Sequence, residues 1–201
     1  MRFRLCSFLP VISFCLYNMN NAGNNKRVKA PNLLLIAGNG RNVGKTTLAC
    51  QIIAHFSEKI PVTALKISPH FYDYDDTDLV FKNEKFIILE ESKDNEKDSS
   101  RMLRAGANRV LFVMAKPDFL DEAAQEILRI LPAGLVVCES GGFHEFVNPG
   151  LFLMIKRAGD EIIKTHLLNY SPIIVNNDGT DFDFNIHQLE FKNKTIKLKN
   201  Q

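Results

Sequence analysis

Lys45, Thr46, Lys66, Asp98 and Glu139 are the polar residues of this chain whose types and surroundings could do chemistry together. The first two close the stretch "GNGRNVGKTTL", a polar, glycine-punctuated loop after an apolar run. Such a loop suits a polyphosphate. Backbone N–H groups of the loop and of the first helical turn converge on one spot, and the helix dipole is positive there. Lys45 can reach β and γ phosphates, and the Thr46 hydroxyl can ligate magnesium. At an effective dielectric of 20, one lysine–phosphate pair at 4 Å is worth roughly 4 kcal/mol before desolvation. The candidate binding set is Asn39, Gly40, Arg41, Asn42, Val43, Gly44, Lys45, Thr46 and Thr47. The usual spacing, G-x-x-x-x-G-K-[ST], would place glycine where Asn39 stands. Gly38 and Gly40 flank it, and asparagine tolerates left-handed backbone angles.

Two acids could share the metal. Glu139 ends the apolar run "VVCE" and is followed by "SGG". In open α/β sheets ligands bind beyond the carboxyl ends of strands, so this position suits a magnesium-handling carboxylate; a plain turn carboxylate is the alternative. Asp98 opens "DSSRMLRAG", either as a helix N-cap or as a second carboxylate orienting metal, water or substrate. Lys66 and His70 follow a strand in "LKISPH". Lys66 is expected near a bound phosphate or solvated; His70 is expected as a proton-transfer group or an exposed loop residue. "FYDYDDTD" (71–78) reads as a surface loop or a lid. Asn176 and Asp178, in "VNND", are candidate base-reading residues or turn formers. Arg101 and Arg104 could supply charge or lie solvated.

These residues need a scaffold, and the pattern provides one. Continuous apolar runs ("NLLLIAG", "PVTALKI", "FIILE", "RVLFVMA", "GLVVCES", "LFLMIKR", "PIIVNND") alternate with helical patterns ("KTTLACQIIAHFSEK", "DSSRMLRAG", "DEAAQEILRIL"). Runs apolar on both faces are buried strands. Strand–helix alternation predicts an α/β fold, a mainly parallel sheet flanked by helices in three layers. Residues 68–85 read as a polar, aromatic loop, and "LEFKNKTIKLKN" as an edge strand or hairpin arm.

With 201 residues the chain is expected to form one domain, 31–201, after a flexible or non-native extension, 1–30. Its net charge of +2 predicts no nucleic-acid and no membrane partner. Cys6, Cys15, Cys50 and Cys138 are scattered without a CxxC pair, which suits a reducing, cytoplasmic location rather than zinc or disulfides. "MRFRLCSFLPVISFCLYN" is similar to the n- and h-regions of a secretory signal. The reading preferred here starts translation at Met19.

The ordered set "GNGRNVGKTTL", "LKISPH", "EKDSSRMLRAGANRVLFV", "VVCESGGF" and "VNPGLFLMIKR" resembles the molybdopterin-guanine dinucleotide biosynthesis protein B family of P-loop NTPases, over about Asn32 to Arg157. The resemblance implies GTP binding with Mg2+, slow GTPase activity, and an accessory role to a molybdopterin nucleotidyltransferase. It carries Gly44, Lys45 and Thr46 onto the phosphate loop, and Lys66, Asp98 and Glu139 onto the family's lysine, aspartate and strand-end acid. The chain departs from the family at Ile67, where histidine is usual, at Ser140, where glycine is usual, and at Glu96, which stands where the residue before Lys97 is usually glycine. "GNGRNVGKT" and "ESGG" also resemble dethiobiotin synthetase, which implies an ATP-dependent ligase. A third expectation is a non-catalytic binding module whose nucleotide state sets homodimerisation or partner contact.

Overall fold

The computed structural model describes residues 27–92 and 97–199. The segment holding Met19, Cys6 and Cys15 lies outside the described residues. The chain runs β1 (Val28–Gly38), α1 (Lys45–Ser57), β2 (Val62–Ser68), β3 (Leu79–Lys82), β4 (Phe86–Glu90), α2 (Asp98–Arg104), β5 (Arg109–Ala115), α3 (Leu120–Ile130), β6 (Leu135–Glu139), β7 (Val147–Arg157), β8 (Ile173–Asn177) and a hairpin of β9 (Leu189–Lys192) and β10 (Thr195–Leu198). Among the described residues the first eight strands form one sheet in the order β3-β4-β5-β2-β6-β1-β7-β8. Pairing is parallel from β5 to β8 and antiparallel at the β3 and β4 edge. The fold is therefore α/β with a mixed, mostly parallel sheet.

The middle strands are mostly apolar because both faces are covered. Leu34 and Ile36 of β1 meet Leu48, Ile52 and Ile53 of α1 and Met102 of α2 on one face. Leu33, Leu35 and Ala37 face the other way, toward Ala123, Ala124 and Ile127 of α3. Each fully buried leucine or isoleucine contributes roughly 1.5–3 kcal/mol relative to exposure. No helix among the described residues is long and apolar enough to cross a membrane.

Two elements differ from expectation, and a third settles as the hairpin arm rather than the edge strand. Val28–Ala30 belong to β1, not to a flexible lead-in: Val28 pairs with Val147, and Ala30 is buried. Residues 79–82, expected in a loop, form β3, whose half-buried Phe81 stacks on Phe86 with ring centroids 5.1 Å apart. The tail hairpin stays out of the main sheet. Asn193 and Lys194 both take positive φ at its tip, the two-residue turn that matches strand twist. It packs Leu189 and Ile196 on the α1 face.

Candidate functional site

β1 lies between β6 and β7, at the point where the chain switches the side on which it adds strands. The crevice beyond the strand tips opens there, and the 39–44 loop leaves β1 into it. Gly44 caps α1 with φ +98°, and a Cβ on it would come within 2.5 Å of Asn177 Nδ2. Glycine is required by both conformation and space. Asn177 in turn donates to the Val43 carbonyl at 3.0 Å, fixing the loop from the tip of β8. The α1 N-terminus has no side-chain cap and no acid in its first turn. By contrast, α3 carries Asp121 and Glu122 there. The positive end of α1 is left for something else to neutralise.

Lys45 folds back over the loop and donates to the Gly40 carbonyl at 3.2 Å. A Cβ at Gly38 would stand 2.8 Å from Lys45 Cδ, so the bare glycine makes room for this course. Burial pushes the ammonium pKa down; Glu139 opposes this, and Lys66 adds to it. Among the described residues no carboxylate is ion-paired with Lys45. A half-buried ammonium held by a carbonyl is poised for an anion.

Glu139, Thr46, Lys66 and Asp98 meet beside it. Thr46 Oγ1 donates to Glu139 Oε2 at 2.7 Å. Lys66 Nζ lies 2.5 Å from Glu139 Oε1 and 3.0 Å from Asp98 Oδ2. The register explains the pairing: Lys66 and Glu139 are partners on adjacent parallel strands. Their side chains are 15% and 4% exposed. Burial pushes the Asp98 carboxyl up, but the charge and hydrogen bond of Lys66, the Thr46 hydroxyl and Arg101 outweigh it. The carboxyl is held below the ordinary aspartate value. Asp98 is not an N-cap: Lys97 holds that position, and Asp98 is the first helical residue.

No family model, curated protein or solved structure matches this chain. The arrangement of residues is therefore the basis for any functional reading.

Some candidates sit elsewhere or are committed to structure. Asn39 is buried and spends its side chain on the backbone beyond β7. It donates to the Glu161 carbonyl at 2.7 Å and accepts from the N–H groups of Ile163 and Lys164 at 2.8 and 3.1 Å. Arg41 and Asn42 are exposed, and the Asn42 carbonyl accepts from Arg157 at 3.4 Å. Val43 puts its side chain in the core. His70 is exposed, with its backbone N–H on Ser68 Oγ. Asp178 caps a turn through the N–H groups of Thr180 and Asp181, and its pKa falls to about 2 chiefly because of the Asp181 N–H. Asn176 is bound to Asp183. Asp178 is thus turn-forming, while Asn176 lies within β8. Arg104 is exposed.

Sequence reasoning undervalued Arg101, which reaches Asp98 Oδ1 at 3.5 Å and Thr47 Oγ1 at 3.4 Å. Its i, i+3 spacing from Asp98 was the available signal. The clamp by Asn177 was missed as well. Beside the loop, on the β7 flank, an open cleft of about 410 Å³ lies between Arg41, Asn42, Arg157, Asp160, Glu161 and Ile163. The 71–78 segment carries a short 3-10 turn capped by Asp75, and Tyr74 packs toward Phe112 and Leu89.

Proposed function

We propose that the protein binds a nucleoside triphosphate with Mg2+ at the 39–46 loop and hydrolyses it slowly, as a P-loop NTPase. The observation that carries this reading is the 2.7 Å contact between Thr46, at the start of an uncapped helix, and Glu139, at the tip of the neighbouring strand. It unites a helix N-terminus, a half-buried lysine, a hydroxyl and a carboxylate around one point.

The donor set fits magnesium. The described residues gather no group of three or more His, Cys, Asp and Glu side chains for a metal. A hard ion here would take the Thr46 hydroxyl, Glu139 or Asp98 directly or through water, and phosphate oxygens. Magnesium is usually held by one or two carboxylates and substrate phosphates rather than by an all-protein cage. When bound, it neutralises charge on the phosphates. The chain does the rest. Loop N–H groups and Lys45 hold the phosphates. Glu139 and Asp98 divide two tasks, orienting the metal and the attacking water. Lys66 and Arg101 face the developing charge. The nucleoside extends into the cleft on the β7 flank. There Ile163, 74% exposed, offers apolar surface for a base to cover.

GTP as the nucleotide, and an accessory role with a molybdopterin nucleotidyltransferase in molybdenum-cofactor biosynthesis, are proposed on the ordered motifs that resemble that family. Turnover near 10⁻⁴ s⁻¹ is expected, about that of a small GTPase without its activator. Calorimetric titration with GTP and ATP, each with Mg2+, tests the reading. Lys45→Ala should weaken triphosphate binding by about 100-fold, from a lost charge-assisted contact. Normal binding by that variant would refute the site. Preference for ATP, with phosphate release dependent on a small carboxylic acid, would replace the GTPase with a ligase.

A further inference from the structure

Lys66 stands between two carboxylates, and it is the one cation among the described residues that is ion-paired with both. Glu139 is 3% exposed, and Asp98 is half-buried on the far side of the ammonium. A buried carboxylate is retained only beside a compensating charge. In this structure that charge is Lys66, placed by register across from Glu139, with contacts of 2.5 and 3.0 Å to the two acids. The oxygens it bridges belong to the carboxylates read above as metal-handling, and Thr46 donates to the other oxygen of Glu139.

We propose that Lys66 is the resting counter-ion of this site and excludes a divalent cation until one arrives with a polyphosphate. This inference rests on the metal-nucleotide reading and adds an order of events to it. A lone divalent ion must displace an ammonium that already pairs with Glu139 and Asp98, and it leaves that partly buried ammonium unpaired. An ion carried by a polyphosphate brings the anion that re-pairs Lys66. Lys66 lies within electrostatic reach of Lys45, whose pKa its charge helps to push down. Two ammonium groups so close are better tolerated once phosphate charge lies between them. The exchange makes metal and nucleotide binding mutually dependent, so a free ion alone does not fill the site. Lys66 therefore holds the two carboxylates in place of a divalent ion in the resting protein.

The test is a titration of the full chain with Mn2+ alone, followed by the free-ion electron paramagnetic resonance signal. Lys66→Met and Lys66→Gln should bind Mn2+ without nucleotide at least ten-fold more tightly than the wild type. Lys66→Arg should resemble the wild type, because it keeps the charge. Adding Glu139→Gln to Lys66→Gln should abolish the gained binding, which places the ion. Lys66→Gln retains hydrogen-bonding capacity toward Asp98 and serves if the methionine variant fails to fold. Equal Mn2+ affinity in the wild type and Lys66→Gln would overturn the proposal, even where the wild type binds Mg2+ with a triphosphate normally. A wild type that binds no triphosphate would remove the nucleotide reading instead, leaving the Mn2+ comparison to be judged by itself.

Discussion

Glu139 and His144 lie five residues apart on the same stretch of chain, 3% and 1% exposed, and they meet burial in opposite ways. Glu139 is saturated: Thr46 donates to one oxygen and Lys66 sits on the other. His144 is orphaned. Among the described residues neither of its ring nitrogens has a hydrogen-bond partner, and Nε2 is 3.9 Å from Glu145 Oε1. It is held by rings instead, stacked on Phe152 at 5.8 Å and edge-on to Tyr170 at 4.5 Å between centroids. Burial, then His166, Arg27 and Lys164, push its pKa down to about 4. A buried charge that is paired stays charged; a buried base without a partner stays neutral. The first arrangement suits a site that must receive a cation or a phosphate. The second makes a packing residue with a latent sensitivity to acid.

The largest effect expected from breaking this contrast is at Glu139. Glu139→Leu leaves Lys66 buried with only half-exposed Asp98 and frees the Thr46 hydroxyl. Unpairing a buried ion typically costs about 3–5 kcal/mol, and urea unfolding should read a loss near the lower end. The double variant Lys66→Met/Glu139→Leu should recover most of that loss, because removing both charges is far less harmful than removing one. A single variant within 1 kcal/mol of the wild type would show that the pair is not holding the strand tips together.

His144 should give the next largest effect, through pH. Its pKa is lower folded than unfolded, so the unfolded chain binds the extra proton. The stability this residue contributes is complete above the unfolded value of about 6.5 and is lost as pH falls toward 4. Between those values the loss should approach about 3 kcal/mol. His144→Phe should remove that slope in stability curves recorded from pH 7 to pH 4. Asp98 acts in a separate, lower window. Its depressed pKa means that its contribution survives until pH falls through the ordinary aspartate value of 3.8 and below. A two-stage acid profile whose upper stage disappears in His144→Phe would sharpen the comparison; an unchanged profile would break it.

These two clusters also show how far a sequence can be read. The loop, its lysine and hydroxyl, and the acid at the tip of β6 were legible because each sits on a local pattern: an apolar run broken by polar residues and glycine. The buried middle strands were legible for the same reason. What decides the site is non-local. Lys66 meets Asp98 across 32 residues and Thr46 meets Glu139 across 93, through the packing of helices on strand tips that no window contains. The orphaned state of His144 depends on Tyr170, Phe152 and His166 arriving from other elements. β3 was missed because its apolar run, 79–81, is too short to stand out from the polar residues around it, and it lies mostly exposed at the sheet edge.

Asn39 is the intermediate case, neutral and buried yet fully used. Its departure from glycine marked it in the sequence, but its partners are 122 to 125 residues away. Asn39→Ala removes three hydrogen bonds to the 161–164 backbone and should lower stability by about 1–2 kcal/mol. The loss should be local: amide exchange should accelerate at 163 and 164, while α1 stays protected.

Arg101 should have the smallest effect on stability and is the most informative about function. It is 40% exposed, and its contacts to Asp98 and Thr47 are long, at 3.5 and 3.4 Å. Exposed ion pairs of that kind are worth about 0.2–1 kcal/mol, so Arg101→Ala should unfold almost with the wild type. Its guanidinium nevertheless faces the start of α1 beside the acid that Lys66 holds. If developing phosphate charge is met there, slow phosphate release should fall at least ten-fold in Arg101→Ala with little change in triphosphate affinity. That separation is what the comparison between paired and orphaned groups requires. Glu139 is bound into both structure and site and cannot be removed without disturbing each. Arg101 touches the same network from its exposed rim, where loss of a charge alters chemistry without leaving anything buried unpaired.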